Sequence, residues 1–384
     1  MKKSLAALAF GTFGLGISEF LMMGLLPVMA SDFGISIPQA GHFITAYALG
    51  VCIGAPLIAL IARRWPLRRI ILVLFGIYST AALLVATCPA DKPWMMLLFR
   101  ALAGFPHGAY FGASSIIADK LSDEGHKSSA IAIVSLGMAV ANLIGIPVST
   151  FIATSISWRV IFYFSAAWGL ITLAAIWRWI PVLDPLPDTG LKGQFTFLKS
   201  PAPWLIIFAT MMGNAGIFCW YSYISPMLTD VCGIAATGVS LVMVLAGAGM
   251  VAGNRAGGVL ADRLKPGHTG LYIDITIIVT LLLIFICARN KAVVIPLTFV
   301  ATACLFAVSS PEQLLILKNS EGGQLMGGAM VQIAFNLGNA LGSYAGGLPI
   351  DAGLGCQYSA LVGLCLAVLG TVAFSIFCAK FEKI

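Results

Sequence analysis

Glu19 is a lone carboxylate near the middle of an apolar run, Leu5 to Met29, that holds no other ionisable residue. About 20 apolar residues suffice to cross a bilayer as a helix, so this run is long enough. An acid left in hydrocarbon costs at least ~2.5 kcal/mol, which favours a place facing a cavity, with a partner or a proton. A carboxyl that gains and loses a proton at that depth is what proton-coupled transport requires. A plain hydrogen bond to a neighbouring helix is the simpler use. Arg100 lies about six residues, roughly 9 Å at helical rise, inside the end of its own run; Glu19 lies about ten residues, roughly 15 Å, from the same side. Long side chains close most of that gap, so the two form a candidate ion pair. Alternation of Glu19 between that cation and a dry pocket would load and release a proton. Arg100 could instead snorkel to the interface.

Other polar side chains recur every seven residues: Arg100, His107 and Ser114; Ser135, Asn142 and Ser149; Ser240, Gly247 and Asn254. Gln332, Asn336, Asn339 and Ser343 alternate steps of four and three. Such spacing keeps them on one helix face, which a wet cavity or a helix contact rewards and lipid penalises. Interhelical hydrogen bonds, worth about 0.6–2 kcal/mol each, account for any single one as well as a ligand does. His107 could relay protons near neutral pH or simply be hydrogen-bonded. Asn214, Trp220 and Tyr221, with Phe20 and Phe111, offer aromatic faces beside polar groups, suited to a sugar ring or an amphiphile. The seventh-run aromatics equally suit an interfacial belt. Glu312, between Pro311 and Gln313, is a second acid inside a predicted span, available to a cationic solute, a second proton or the nearby water. The candidate substrate contacts are therefore Phe20, His107, Phe111, Asn142, Asn214, Trp220, Tyr221, Glu312, Gln332 and Asn336. Asp274, near a span end, is expected to be solvated or paired with the loop at Arg263.

The elements that must hold these residues are helices in a membrane. Of 384 residues, 59% are hydrophobic and 10% charged, against about 25% charged in soluble domains. Apolar runs give spans near 5–29, 39–62, 70–88, 94–117, 128–153, 160–180, 203–228, 237–261, 270–288, 293–317, 325–348 and 357–379. The expectation is an all-α membrane protein of twelve transmembrane helices in two six-helix bundles, residues 1–180 and 203–384, joined by a cytoplasmic linker at 181–202. Lys2 and Lys3 precede an apolar run of about 25 residues, longer than the 7–15 of a signal core, so the first span is expected to be retained. Loops and ends on one side carry sixteen Lys and Arg, including Arg63, Arg64, Lys120, Arg178, Arg263 and Lys383; the other side carries only Lys92, Arg159, Arg289 and Lys291. The positive-inside rule then puts both termini in the cytoplasm of an inner (plasma) membrane. The net charge of +7 is topological, and no nucleic-acid partner is expected. No Cys-x-x-Cys occurs among the nine cysteines, so no metal is expected; Cys88, Cys232 and Cys356 leave one outer bridge conceivable. Metalloprotease, nucleophile-elbow and phosphate-loop motifs are absent, which excludes those enzyme classes and an ATP-driven pump in this chain; no cofactor is expected.

The two halves repeat. Ala62-Arg63-Arg64-Trp65 and Ala261-Asp262-Arg263-Leu264 each end a span and enter a basic turn, and such a repeat places a substrate site at mid-membrane between the halves. Gly258-Val259-Leu260-Ala261-Asp262-Arg263 resembles the loop signature of the major facilitator superfamily. Arg100 with Gly104, Gly108 and Gly112 resembles its fourth-helix motif. Gly145-Ile146-Pro147-Val148-Ser149-Thr150, followed by Ser157-Trp158-Arg159, is similar to its fifth-helix antiporter motif. Segments such as Gly104-Phe105-Pro106-His107-Gly108-Ala109 and Gln332-Ile333-Ala334-Phe335-Asn336-Leu337-Gly338 resemble the drug:proton antiporter-like branch. The resemblance covers essentially the whole chain. It implies a monomeric carrier that exchanges protons for a small-molecule substrate, with Glu19 and Arg100 in coupling and Arg64, Asp262, Arg263 and Pro147 in gating. Two departures stand out: Arg63 replaces the usual Asp of the first-half loop, and Ile146-Pro147-Val148-Ser149-Thr150 stands where the antiporter motif usually reads Gly-Pro and then a Gly pair. Proton–solute symport, uncoupled facilitation and a non-transporting sensor are the competing functions.

Overall fold

The computed structural model describes residues 2–35, 37–187 and 189–382, and these form helices and turns with no strand. The helices make twelve spans, each close to its expected place. The first six are Lys2–Phe33, Ile37–Ile61, Leu67–Ala86, Pro93–Leu121, a fifth composed of Lys127–Val140, the π-turn Ala141–Gly145 and Ile146–Ser155, and Trp158–Trp179. The seventh is Pro201–Tyr221, followed by Ile224–Pro226 and the π-turn Met227–Val231. Ala236–Leu264 and Pro266–Ile286 come next, then a tenth span in two pieces, Lys291–Ala307 and Ser309–Lys318, and finally Gln324–Asp351 and Tyr358–Phe381. The side chain of Pro147, and Lys383, lie outside the described residues.

Local chemistry sets the ends. Pro93, Pro201 and Pro266 occupy first helical positions, where a missing N–H costs nothing. Ser157 caps the sixth span by accepting from the Arg159 N–H at 3.2 Å. Gly125 and Gly322 turn the chain with φ of 85° and 77°, and Lys265 adopts φ 76° before Pro266, an unfavourable region for a side chain.

Ten helices among the described residues are long and apolar enough to cross a membrane by composition alone. The fourth and eleventh spans fall below that mark because they carry several glycines and polar residues, among them Arg100 and His107 on the fourth and Gln332, Asn336 and Asn339 on the eleventh. The fourth compensates by burial: Arg100, His107, Phe111 and Ser114 are all in the protein interior.

Contacts divide the chain into two compact units. One comprises Met1–Ser122, Ile133–Phe197 and Ser320–Ile333; the other comprises Asp123–Ala132, Leu198–Asn319 and Ala334–Ile384. In the first unit the second span packs on the fourth, the third on the sixth and the first on the sixth. In the second unit the eighth packs on the tenth, the ninth on the twelfth and the seventh on the twelfth. The same pairing in both is the structural form of the internal repeat. Glycine makes its closest contacts possible: a side chain on Gly50 or Gly104 would run into the carbonyl of Ala101 or Tyr47, and one on Gly253 or Gly257 into that of Ala303 or Ala307. Within the first unit, the segment after the sixth span docks through Thr189, whose hydroxyl donates to the Gly322 carbonyl at 2.7 Å. All nine cysteines are free, so the conceivable outer bridge is not formed.

Candidate functional site

The first span brings Ser18 and Glu19, the second Phe43 and Tyr47, and the fourth Arg100, His107 and Phe111. Close backbone packing of the second and fourth spans at Gly50 and Gly104 sets Tyr47 between Arg100 and His107. The Arg100 guanidinium is fully buried; it donates to the Ser18 carbonyl at 2.9 Å and the Phe43 carbonyl at 3.3 Å. It also lies 4.6 Å over the Tyr47 ring, a cation–π contact. Arg100 therefore does not snorkel. The expected ion pair with Glu19 is not formed either: no salt bridge joins them among the described residues. The physical reason is local, since the carbonyl one residue before Glu19 takes the cation and the Glu19 side chain turns toward His107.

Glu19 Oε2 lies 3.7 Å from His107 Nε2. His107 Nδ1 and the Tyr47 hydroxyl are 2.9 Å apart, and the Phe111 ring stacks on the imidazole at 5.3 Å. A polar row thus runs from Glu19 through His107 to Tyr47, with Arg100 over the Tyr47 ring. Glu19 retains 14% side-chain exposure where His107 has 1%, so the carboxyl is the member of the row that reaches open space. Tyr47 is the participant that sequence reasoning missed; its helix carries Gly50 and Gly54, but no spacing rule ties it to Arg100. Phe20, the next residue along from Glu19, is buried at 8% exposure.

Asn142 sits in the π-turn of the fifth span and donates back to the Met138 carbonyl at 3.2 Å. The π-turn ends at Gly145, two residues before Pro147, which has no N–H to give to regular helix bonding. The first span packs against this turn, since a side chain on Gly16 would begin 2.9 Å from the Ala141 methyl. At another end of the first unit, Asp32 Oδ2 pairs with Arg159 at 2.7 Å and accepts from the Trp158 indole at 3.0 Å. That contact gives the Ser157-Trp158-Arg159 motif a structural use.

In the second unit Asn214 donates to the Phe335 carbonyl at 2.8 Å and to Asn339 Oδ1 at 2.6 Å. It therefore joins the seventh and eleventh spans. Gly338 meets the Met211 carbonyl at the same contact. Trp220 is core, 1% exposed, with its indole N–H 3.1 Å from Met227 Sδ; Tyr221 beside it is half-buried. Gln332 and Asn336 are half-buried. Glu312 is 2% exposed, so it does not reach water, and its helix piece packs on the seventh and ninth spans. The expectation for Asp274 is overturned: it is 1% exposed and pairs with no cation among the described residues, because the ninth span turns it into the packed interior against Gly213 and Gly370. Asp262 accepts from the Ser128 and Ser129 N–H groups at 2.8 and 2.9 Å, all within the second unit, while Arg64 and Arg263 are exposed. Arg63, standing where the superfamily pattern has Asp, donates to the Leu60 carbonyl at 3.0 Å. A cavity of about 420 Å³ lined by Phe285, Arg289, Asn290 and Tyr358 includes none of the candidate residues.

Twelve spans, two units with one internal plan and a buried polar row in the first define a multi-pass membrane transporter. The family profile of the Major Facilitator Superfamily matches residues 8–330, and the chain belongs to that superfamily. Among its relatives, AraJ of Escherichia coli (strain K12) is 42% identical over 361 residues, covering 94% of this chain and 91% of AraJ. A chloramphenicol resistance protein of Streptomyces lividans is 29% identical over 381 residues, covering 97% and 96% of the two chains. The solved structure of the Escherichia coli fucose:proton symporter FucP shares the fold with a TM-score of 0.78 at 14% identity, covering 97% of this chain and 98% of FucP. A member of this superfamily is not an enzyme.

Proposed function

We propose that this transporter is a proton-coupled antiporter that exports a small organic solute, such as a sugar or an amphiphilic drug, by alternating access. It would work as a monomer in the cell inner membrane with both termini in the cytoplasm. The carrying observation is the geometry of Glu19: an acid at mid-span, partly open, 3.7 Å from His107, with the Arg100 guanidinium on the adjacent Ser18 carbonyl. A small rotation of the first span would exchange His107 for Arg100 as the nearest partner of the carboxyl. Such an exchange changes the electrostatic environment of the proton without breaking the helix. Phe20, Phe111, Asn142, Tyr221, Gln332 and Asn336 are proposed as substrate contacts, with Asn214 and Trp220 holding the seventh span in place. Pro147 and its π-turn, together with Arg64, Asp262 and Arg263, are proposed to gate. A relative named a chloramphenicol resistance protein accords with export.

A thermal-shift screen of sugars, nucleosides and amphiphilic drugs on purified protein identifies a ligand, because binding to the folded state raises the melting temperature. Flux of that ligand into everted vesicles is then followed under an imposed proton gradient. The expected result is gradient-driven uptake that Glu19→Gln abolishes while binding persists. Undiminished gradient-driven flux in Glu19→Gln would remove Glu19 from the mechanism. Accumulation driven by the opposite gradient would make the protein a symporter, equilibration alone a facilitator, and binding without counterflow a sensor.

A further inference from the structure

Two acids of the second unit take no part in the coupling proposed above. Asp274 on the ninth span is 1% exposed and Glu312 on the tenth is 2% exposed. No Lys, Arg or His pairs with either among the described residues. The helix piece Ser309–Lys318, which carries Glu312, packs on the ninth span, which carries Asp274, and on the seventh, which carries Thr210. Asp274 Oδ2 has no hydrogen-bond partner, and the Thr210 hydroxyl, itself 1% exposed, makes no hydrogen bond of good geometry. The Asp274 oxygens lie 3.0 and 3.3 Å from where a side chain on Gly213 would begin, and one lies 3.2 Å from the same point on Gly370. Gly213 is three residues beyond Thr210, so both lie on one face of the seventh span.

Val308 keeps helical φ and ψ of −74° and −23°, and the Glu312 N–H bonds the Val308 carbonyl at 3.1 Å, so the tenth span runs on past Pro311 and holds Glu312 on a continuous helix. Among the described residues, the buried titratable groups on the ninth and tenth spans are the two acids and the Cys304 thiol. The seventh and twelfth spans bring Thr210, Gly213 and Gly370, which carry no charge, and Arg255 of the eighth span is exposed. Two bare carboxylates so placed would be desolvated and mutually repelling with no cation to offset either.

We infer that Asp274 and Glu312 bind a proton between them, a second proton-binding site within the second unit, with the Thr210 hydroxyl completing its hydrogen bonds. The proton comes from hydronium, which leaves as water, and sits on a carboxyl oxygen of the pair; no other bond forms or breaks. The site holds whether or not Glu19 couples transport.

Infrared spectroscopy of purified protein in lipid tests it, reading the carbonyl band of a protonated carboxylic acid at neutral pH. The Glu19→Gln background removes the acid of the first unit, so failure of the Glu19 reading and failure of this one stay distinguishable. The expected result is a band that persists in Glu19→Gln, is lost when Asp274→Asn and Glu312→Gln are added, and is unmoved by sodium at constant pH. No band in Glu19→Gln overturns the inference. A band that sodium abolishes also overturns it, in favour of a metal-cation site. Should the triple variant not fold, Glu19→Gln with Thr210→Val is the second reading: its band shifts in frequency if the hydroxyl bonds the pair, and an unshifted band assigns the proton elsewhere and overturns the inference.

Discussion

Asp262 offers the sharpest test of how the loop signature works. Its two carboxylate oxygens accept separately from the Ser128 and Ser129 N–H groups at 2.8 and 2.9 Å. Those amides belong to the first turn of the fifth span, where no intrahelical acceptor exists and an anion is favoured by the helix dipole. Hydrogen bonds to a charged group are worth about 1.5–3 kcal/mol each, but Asp262 is half-exposed and water replaces part of what is lost. Asp262→Ala should therefore ease opening of that turn by about 2 kcal/mol, which is roughly a thirtyfold loss of protection. Asp262→Asn keeps an acceptor and loses the charge, so about 1 kcal/mol, or roughly fivefold, is expected. Hydrogen–deuterium exchange read by mass spectrometry on peptides spanning 127–133 measures it, with the twelfth span as an internal reference. Wild-type exchange at the Ser128 and Ser129 amides in Asp262→Ala would mean that the carboxylate is a bystander and that the helix end is solvated instead.

Other expectations follow from the same geometry. Tyr47→Phe keeps the ring beneath Arg100 but strips His107 Nδ1 of its partner at a site 1% exposed, so it should cost about 1–3 kcal/mol, and pairing it with His107→Leu should be less than additive by thermal unfolding. Gly104→Ala puts a methyl into the Tyr47 carbonyl; overpacking of about 1–3 kcal/mol should lower Tm, whereas Gly76→Ala, with open space around it, should not. Lys265→Gly relieves a positive φ and should raise Tm by the equivalent of up to about 1 kcal/mol; an unchanged Tm would show that the strain is already offset by its surroundings.

The sequence by itself determined the twelve spans and the repeat, because apolar run length, proline at helix starts and basic turns are local properties. It also determined that Glu19 is embedded, since nothing else in Leu5 to Met29 can ionise. Gly50 and Gly54, and Gly253 and Gly257, recur four residues apart in the sequence, and the backbones that Gly50 and Gly253 touch are those of Ala101 and Ala303. What only the tertiary structure decided is which polar atom meets which. Periodicity places Arg100 and His107 on one face of the fourth span, yet it carries no information about the rotation of the first and second spans against that face. That rotation gave Arg100 the Ser18 carbonyl instead of the Glu19 carboxylate and placed Tyr47 beside His107. It also turned Asp274 from a span end expected in water into a packed interior against Gly213 and Gly370. Side-chain partnership in a bundle depends on the azimuth of each helix, a property of all its neighbours at once, and no window of sequence contains it.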